Sequence, residues 1–205
     1  MNYYITKMDY LKKFQIKIKS PDSTFIELFE YINSLNNFNI FNERILEVGF
    51  GTGNKSIRLS KLFISYYGIE PDLSLYQIFL NLCEDNNCNI KSFNMSFDSF
   101  IDFTDKKFKL ILIEDVIHFL DFDNLIKKSK KISNRDIIYI LIKNAKARPY
   151  GWGNLEFCIE SEKFNKEKFN KFRDKLKIIY NKLDNSKYLI KKNSNNFYHY
   201  FLLQI

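Results

Sequence analysis

A glycine-spaced turn is the segment of this sequence that most directly predicts a ligand site. Glu47 lies in the apolar run 45–48, and Gly49, Gly51 and Gly53 follow at alternate positions. Glycines at this spacing let the backbone adopt positive φ and leave no Cβ where a ligand must approach the main chain. Because apolar residues then recur at helical intervals, the sequence predicts a strand, a binding loop and a helix, the order of a nucleotide-type site.

The position of the third glycine bears on which ligand this loop would take. A dinucleotide fingerprint, G-x-G-x-x-G from Gly49, requires a glycine where the sequence has Asn54, so a diphosphate ligand is disfavoured. A second apolar stretch ends in Glu70, about twenty residues beyond the loop, where a doubly wound fold places the carboxylate that accepts ribose hydroxyls. The following Pro71 and Asp72 are also compatible with an ordinary helix start.

The pattern of Glu47 and the three alternate glycines resembles motif I of the class I S-adenosylmethionine-dependent methyltransferases. In that family the loop wraps the amino-acid end of a cofactor that carries no phosphates. The dipeptide Glu70-Pro71 is similar to the second motif of the family, which is followed by a helix with an apolar contact to adenine, here Leu73. The resemblance implies S-adenosyl-L-methionine as the cofactor, with Glu47, the glycines, Glu70 and Pro71 in its site.

The resemblance also implies cofactor contacts after the third and fourth strands. Asn94 occupies the place of an acid that accepts the adenine amino group in the family, and Met95 follows it. An amide oxygen can accept the same hydrogen bond, and Asp98 is the alternative if the register differs. After the fourth strand, Glu114 and Asp115 are expected to line the methionine end of the cofactor.

Asp115 and His118 are the candidate catalytic residues. The sequence from Asp115 to His118 is similar to family members with an acid or Asn followed by Val-x-His, and it lacks the Pro-Pro-aromatic motif of enzymes that methylate DNA adenine. Methyl transfer from a sulfonium is an in-line displacement, so a base is needed only if the acceptor must lose a proton. With an ordinary pKa of ~6.5, a histidine is suited to that role. A packed or solvent-exposed histidine is the alternative.

Two segments are candidates for the acceptor pocket. The N-terminal segment is rich in aromatic residues, Tyr10 among them. In the family this part of the chain folds as a lid over cofactor and substrate, which implies a lid within 1–40 here. Packing on the edge of the sheet is the alternative. Arg148, Tyr150 and Trp152 follow the predicted fifth strand and are suited to hold an anionic or aromatic acceptor. A plain surface loop is the alternative there.

Alternating strands and helices predict an α/β fold with a doubly wound, mostly parallel sheet. The last two strands are predicted to form a hairpin, which makes one strand antiparallel. Seven strands with a reversed last strand are the architecture of the family, whose domain is expected to span 41–205. The predicted strands are 44–48, a run ending before Glu70, 89–94, 108–113, 136–143, 188–191 and 198–204; the predicted helices include 20–36, 124–132 and 161–182.

Composition limits the remaining possibilities. The chain has 205 residues, 45% of them hydrophobic, which is enough for one substantial core. The net charge of +8 invites a nucleic-acid hypothesis, but the lysines are scattered among acids and accompany many Asn, Ile and Phe residues, a bias typical of AT-rich coding sequence. Cys83, Cys88 and Cys158 form no C-x-x-C pair, so we expect free thiols and no metal site.

No apolar run is long enough for a membrane span, and the N-terminus lacks the order of a signal peptide. We therefore expect a soluble, cytoplasmic protein without a membrane partner; its oligomeric state is left open.

The resulting hypothesis is a methyltransferase that acts on an oxygen or nitrogen atom of a small-molecule acceptor. An RNA or protein acceptor is the alternative within this enzyme class. Two hypotheses of other classes are an NAD-dependent oxidoreductase, which the spacing of Gly53 disfavours, and a catalytically silent Rossmann-like binding domain.

Overall fold

The structure, a computed structural model, describes residues 23–35, 38–134, 137–145, 166–194 and 198–205. The chain divides into two compact units, Met1–Ile111 and Leu112–Ile205. Within the described ranges, no helix is both long and apolar enough to cross a bilayer. The same ranges contain no group of three or more His, Cys, Asp or Glu residues arranged to hold a metal ion.

Among the described residues, seven strands form one mixed sheet. The strands are β1 (Arg44–Val48), β2 (Ser65–Ile69), β3 (Ile90–Phe93), β4 (Leu110–Glu114), β5 (Tyr139–Ala145), β6 (Leu189–Ser194) and β7 (Tyr198–Gln204). Their hydrogen-bonded order is β3-β2-β1-β4-β5-β7-β6. β2 pairs in parallel with β1 and β3, whereas β7 is antiparallel to both β5 and β6. The predicted fold class, a mostly parallel seven-stranded sheet with an antiparallel C-terminal hairpin, is confirmed.

Helices alternate with the strands along the described parts of the chain. They are α1 (Ser23–Leu35), α2 (Ser56–Leu59), α3 (Leu73–Asp85), α4 (Phe97–Phe103), α5 (Phe122–Lys131) and α6 (Lys166–Asp184). Three of them begin at a side chain that accepts hydrogen bonds from the first turn, because Asp72 caps α3, Ser96 caps α4 and Asp121 caps α5. The helix expected after the glycine loop is short, since α2 continues as a 3₁₀ turn over Ser60–Leu62.

Aromatic packing forms much of the core of the first unit. The apolar stripe of α1 is buried, and the ring of Phe29 lies 5.2 Å from that of Phe63, edge to face. A second cluster of Phe50, Ile57 and Phe79 joins the glycine loop to α2 and α3. The ring centroids of Phe50 and Phe79 are 4.4 Å apart. This cluster fixes the loop against the helix that follows β2.

In the second unit, β5 occupies the centre of the core. The residues of β5 from Tyr139 to Ile142 are all fully buried, as expected for a strand covered on both faces. α6 contributes Leu176, Ile179 and Leu183, which are buried at helical intervals. The packing of this helix also brings its polar residues to the end of β5.

The expectation of free thiols is wrong for two of the cysteines. Cys83, near the end of α3, is joined to Cys88 by a disulfide, with a Cα–Cα distance of 5.0 Å. The chain can turn back so sharply because Asn87 adopts a φ of 48°, in the left-handed region that asparagine tolerates. A search for C-x-x-C pairs misses a bridge whose geometry depends on this turn. Cys158 lies outside the described residues.

Candidate functional site

The glycine loop adopts a backbone that ordinary side chains disfavour. Gly49, Gly51 and Gly53 have φ values of 72°, 58° and 71°. The N–H of Gly49 donates to the carbonyl of Ile69 at 2.8 Å. This hydrogen bond holds the start of the loop, just after β1, against the end of β2. The N–H of Gly53 donates to the carbonyl of Phe50 at 2.9 Å and closes the turn. The backbone conformation therefore favours glycine at all three positions.

Gly51 and Gly53 face different surroundings. A Cβ atom at Gly53 would collide with the ring of the fully buried Phe79. A Cβ atom at Gly51 would meet nothing within 4 Å. Gly53 therefore lets the loop pack against α3, whereas Gly51 borders open space through which a ligand can approach the backbone.

Glu70 ties the loop to the end of β2. Its Oε2 accepts a hydrogen bond from the N–H of Gly51 at 2.8 Å, and its Oε1 accepts one from the N–H of Asp72 at 2.9 Å. Burial raises the pKa of Glu70, and these two backbone hydrogen bonds oppose that rise. A carboxylate has about four acceptor sites, so both oxygens retain capacity for ligand hydroxyls.

Glu47, the acid before the glycines, is buried and accepts a hydrogen bond from the Tyr66 hydroxyl at 2.9 Å. The sequence predicts a cofactor role for Glu47 but contains no signal for this partner, since the bond depends on the register of two strands. Glu47, the glycines and Glu70 thus lie in one unit, at the adjacent ends of β1 and β2.

Asn94 has a structural role that the sequence did not indicate. Its Nδ2 donates to the carbonyls of Glu70 at 2.7 Å and Pro71 at 3.2 Å, which joins the ends of β2 and β3. Met95 follows it and is half-buried. Leu73, the residue predicted to contact adenine, is 56% exposed at the start of α3. Asp98 is exposed in the first turn of α4.

The second unit contains a buried ion pair between the last residue of β4 and a residue of β5. The Nζ atom of Lys143 donates to Oε1 of Glu114 at 2.8 Å, and Lys143 is only 2% exposed. The same Nζ atom lies 4.2 Å from the centroid of the Tyr198 ring. Because a buried charge needs a partner, the Glu114 carboxylate and this lysine hold each other in place.

Asp115 and His118 follow at the same end of β4. Asp115 has a φ of 56°, and its N–H donates to the carbonyl of Lys143 at 2.8 Å. Such a conformation is uncommon for a residue other than glycine, and residues of this kind concentrate at functional sites. Burial, together with the charge of Lys175, lowers the pKa of His118 to about 4. The imidazole is therefore neutral at neutral pH.

Tyr180 and Asn144 form a polar pair beside these residues that the sequence did not indicate. The Nδ2 atom of Asn144, at the end of β5, donates to the Tyr180 hydroxyl at 2.7 Å. Burial raises the pKa of Tyr180, the bond from Asn144 opposes the rise, and the charge of Asp115 adds to it. Tyr180 belongs to a charged amphipathic helix, where its spacing alone does not distinguish it from a core residue.

The predicted acceptor residues Tyr10, Arg148, Tyr150 and Trp152 lie outside the described residues. The roles assigned from the sequence to the cofactor and catalytic residues stay predictions, as do those of these four.

Residues 45–134 match a family model described as a methyltransferase domain. Comparison with curated protein sequences finds no match. Among solved structures, TehB from Haemophilus influenzae is similar at 16% sequence identity with a TM-score of 0.54, over 97% of this chain and 66% of that one. A conserved hypothetical protein from Streptococcus pyogenes is similar at 11% identity with a TM-score of 0.52, over 84% of this chain and 91% of that one.

A third similar structure is magnesium protoporphyrin IX methyltransferase from Synechocystis PCC 6803 with bound SAM. It has 12% sequence identity and a TM-score of 0.51, over 100% of this chain and 83% of that one. These likenesses concern the fold, whereas the family model covers the glycine loop, Glu70 and the residues after β4. Residues 45–134 thus match a methyltransferase domain, and the solved structures, one of them a methyltransferase with bound SAM, are similar to this chain in fold.

Proposed function

We propose that this chain is an S-adenosylmethionine-dependent methyltransferase, which binds its cofactor along the glycine loop of the first unit and methylates an oxygen or nitrogen atom of a small molecule. The observation that carries the proposal is the open space beside Gly51, on a backbone that Glu70 holds in place. A ligand there meets main-chain atoms without an intervening side chain, next to a buried carboxylate.

The charges of the loop suit this cofactor better than a dinucleotide. Glu47 and Glu70 are 4% and 5% exposed, so two carboxylates are buried at the ends of β1 and β2. S-adenosylmethionine has a positive sulfonium, a positive amino group and a negative carboxylate, so its net charge is positive, whereas the diphosphate of NAD is negative. Complementary charge therefore favours the sulfonium compound. We assign Glu70 to the ribose hydroxyls and Glu47, Gly49, Gly51 and Gly53 to the amino-acid end.

The other predicted cofactor contacts come from residues after β2, β3 and β4. Asn94 keeps a carbonyl oxygen that is able to accept from the adenine amino group while its nitrogen binds the backbone of Glu70 and Pro71. Met95 and the exposed Leu73 offer apolar surface at the same edge. The contact of Glu114 with the methionine end stays a prediction.

The main contribution of the protein to methyl transfer is to align the two reactants. The cofactor supplies a methyl group on a good leaving group, and holding two reactants in line contributes much of the rate enhancement. We assign Asp115 to the orientation of the acceptor. His118 is neutral at neutral pH, because burial and Lys175 lower its pKa to about 4. The same shift makes it a weaker proton acceptor than an ordinary histidine, so its role as general base stays a prediction.

The pairing of lysines with acids supports a small-molecule acceptor over RNA. Lys182 contacts Asp123 at 2.9 Å and Lys192 contacts Asp184 at 2.6 Å. Lysines held in such pairs do not form the open basic surface that neutralises successive phosphates. An RNA or protein acceptor remains the second candidate, and cytoplasmic location and the lid role of residues 1–40 stay predictions.

Two measurements test this function. Calorimetry with S-adenosylhomocysteine, S-adenosylmethionine and NAD should show binding of the first two and none of NAD. Incubation with cofactor labelled at the methyl group, followed by separate recovery of metabolite, RNA and protein fractions, should place the label in the metabolite fraction. Failure to bind either adenosyl compound would contradict the cofactor assignment, and label confined to RNA or protein would contradict the acceptor assignment.

A further inference from the structure

A buried tyrosine in β2 contacts the acid that precedes the glycine loop. The Tyr66 hydroxyl donates to Oε2 of Glu47 at 2.9 Å. Tyr66 is 2% exposed and Glu47 is 4% exposed, so water competes little for this hydrogen bond. Hydrogen bonds to an ionised acceptor are shorter and stronger than those between neutral groups. The contact is therefore strong enough to decide where the carboxylate points.

The register of β1 and β2 explains why this tyrosine reaches the acid. Glu47 is directly opposite Gly68, and Tyr66 is opposite Ile45, so Tyr66 lies two residues before Gly68 on the same face of the strand. Gly68 has no side chain to fill the position beside Glu47. A Cβ atom there would come within 2.7 Å of the Phe50 ring, so glycine is required at this point. The diagonal arrangement of Glu47 and Tyr66 on one face brings the Tyr66 hydroxyl to the Glu47 carboxylate.

The tyrosine is itself held in one place. Its ring lies 5.8 Å from the ring of Phe63, within the aromatic core of the first unit. A buried ring packed in this way does not swing aside, so its hydroxyl is a donor at a fixed position. A carboxylate that accepts one such bond retains acceptor sites for a ligand.

We propose that Tyr66 is a positioning residue for the cofactor: it holds Glu47 in the one orientation that presents its carboxylate to the amino group at the amino-acid end. The inference rests on the proposed function, since it takes Glu47 as a contact of that end. Tyr66 acts through Glu47 and makes no contact with the reacting atoms.

The adjacent residue of β2 provides a matched control. Tyr67 is also buried, at 5% exposure, but successive side chains of a strand point to opposite faces. Its hydroxyl accepts a hydrogen bond from Lys91 at 3.4 Å, a long contact. Tyr67→Phe therefore makes the same chemical change as Tyr66→Phe, one residue away, without touching Glu47.

The experiment compares two ligands by calorimetry. S-adenosylhomocysteine has the amino-acid end, whereas 5′-methylthioadenosine keeps the adenosine and the sulfur but lacks the amino acid. We expect Tyr66→Phe to weaken S-adenosylhomocysteine binding roughly tenfold, the effect of about one hydrogen bond to a charged group. In the same variant, binding of 5′-methylthioadenosine should change by less than about twofold, well under the tenfold change, which corresponds to about 1.4 kcal/mol. Tyr67→Phe should change the affinity for neither ligand.

A double variant covers the case in which Tyr66→Phe folds poorly. In a Glu47→Gln background, Tyr66→Phe takes the hydroxyl donor from a neutral amide and not from a buried carboxylate, which costs less folding free energy, so the double variant should fold. Its affinity for S-adenosylhomocysteine should equal that of Glu47→Gln alone, because Tyr66 acts only through the carboxylate.

The outcomes separate this inference from the function on which it rests. If the wild-type chain does not bind S-adenosylhomocysteine, both are overturned. If the wild-type chain binds and Tyr66→Phe binds as well, or loses both ligands equally, the positioning role alone is overturned. A further loss from Tyr66→Phe in the Glu47→Gln background would also overturn it.

Discussion

Gly51 and Gly53 are glycines for different reasons, since Gly51 gives a ligand access to the backbone and Gly53 lets the loop pack against α3. Single substitutions at the two positions should therefore have different effects on binding and on stability. Both residues have a left-handed backbone, with φ values of 58° and 71°. An L side chain at either position costs roughly 1–2 kcal/mol of folding free energy. At Gly53 the new Cβ also collides with the buried ring of Phe79, and overpacking of this kind costs about 1–3 kcal/mol more.

We therefore expect Gly51→Ala to lower the free energy of unfolding by about 1–2 kcal/mol and Gly53→Ala by about 2–5 kcal/mol. Urea unfolding measures both values. Because a Cβ at Gly51 enters open space, Gly51→Ala and the larger Gly51→Val should remain folded by circular dichroism. Calorimetry should nevertheless show that S-adenosylhomocysteine binding is weakened in Gly51→Ala and lost in Gly51→Val, since the added atoms occupy the space proposed for the ligand.

Two further variants make the reasoning refutable. Asparagine tolerates the left-handed region, so Gly51→Asn reduces the backbone strain while still obstructing the ligand. It should be nearly as stable as the wild type yet bind poorly. Phe79→Leu should offset part of the loss in Gly53→Ala, as a double-mutant cycle would show. Equal stability of the two alanine variants, or normal binding by Gly51→Asn, would refute the assignment.

Three other outcomes are expected. Glu70→Ala should weaken S-adenosylhomocysteine binding at least about tenfold in calorimetry, because each hydrogen bond to a carboxylate contributes roughly 1.5–3 kcal/mol. An unchanged affinity would mean that Glu70 only holds the backbone of Gly51 and Asp72 and does not contact the ligand. His118 should make the protein less stable in acid. Its folded pKa is lowered to about 4, so between pH 6.5 and 4 the unfolded chain binds a proton that the folded chain does not. The free energy of unfolding should fall by about 3 kcal/mol over this range relative to His118→Asn, and parallel pH curves for the two proteins would contradict this. Finally, binding to single-stranded RNA should be weak and should vanish at physiological salt in a filter assay, since non-specific binding loses affinity with salt at a log–log slope of about −0.7 for each phosphate contact. Tight binding that persists there would favour the RNA alternative.

The sequence predicts the strand and loop framework well because its signals are local. The apolar run before Gly49 predicts β1 with the observed bounds, Arg44–Val48, and the β-branched run after position 136 predicts the buried strand β5. A short helix is harder, and α4 (Phe97–Phe103) was not predicted. It is stabilised by the Ser96 cap and by burial of three of its apolar side chains against the rest of the first unit. Only the cap is visible in the sequence.

Site residues were predictable where backbone conformation dictates residue type. Three alternate glycines indicate positive φ directly, and all three have it. The partners of the site residues depend instead on strand register and helix packing. The contact of Tyr66 with Glu47 and the contact of Asn144 with Tyr180 both join elements that are distant in sequence. No single-sequence pattern contains that information.

Glu70 and Asn94 link the ends of three strands into one connected edge. The Glu70 side chain binds the N–H of Gly51 after β1, while its carbonyl accepts from Asn94 after β3. The conformational entropy of this edge is therefore lost when the protein folds and need not be lost again on ligand binding. Because this edge is already ordered, ligand binding should not require a slow rearrangement of its backbone. It also makes each of these residues intolerant of change for a reason unrelated to ligand contact.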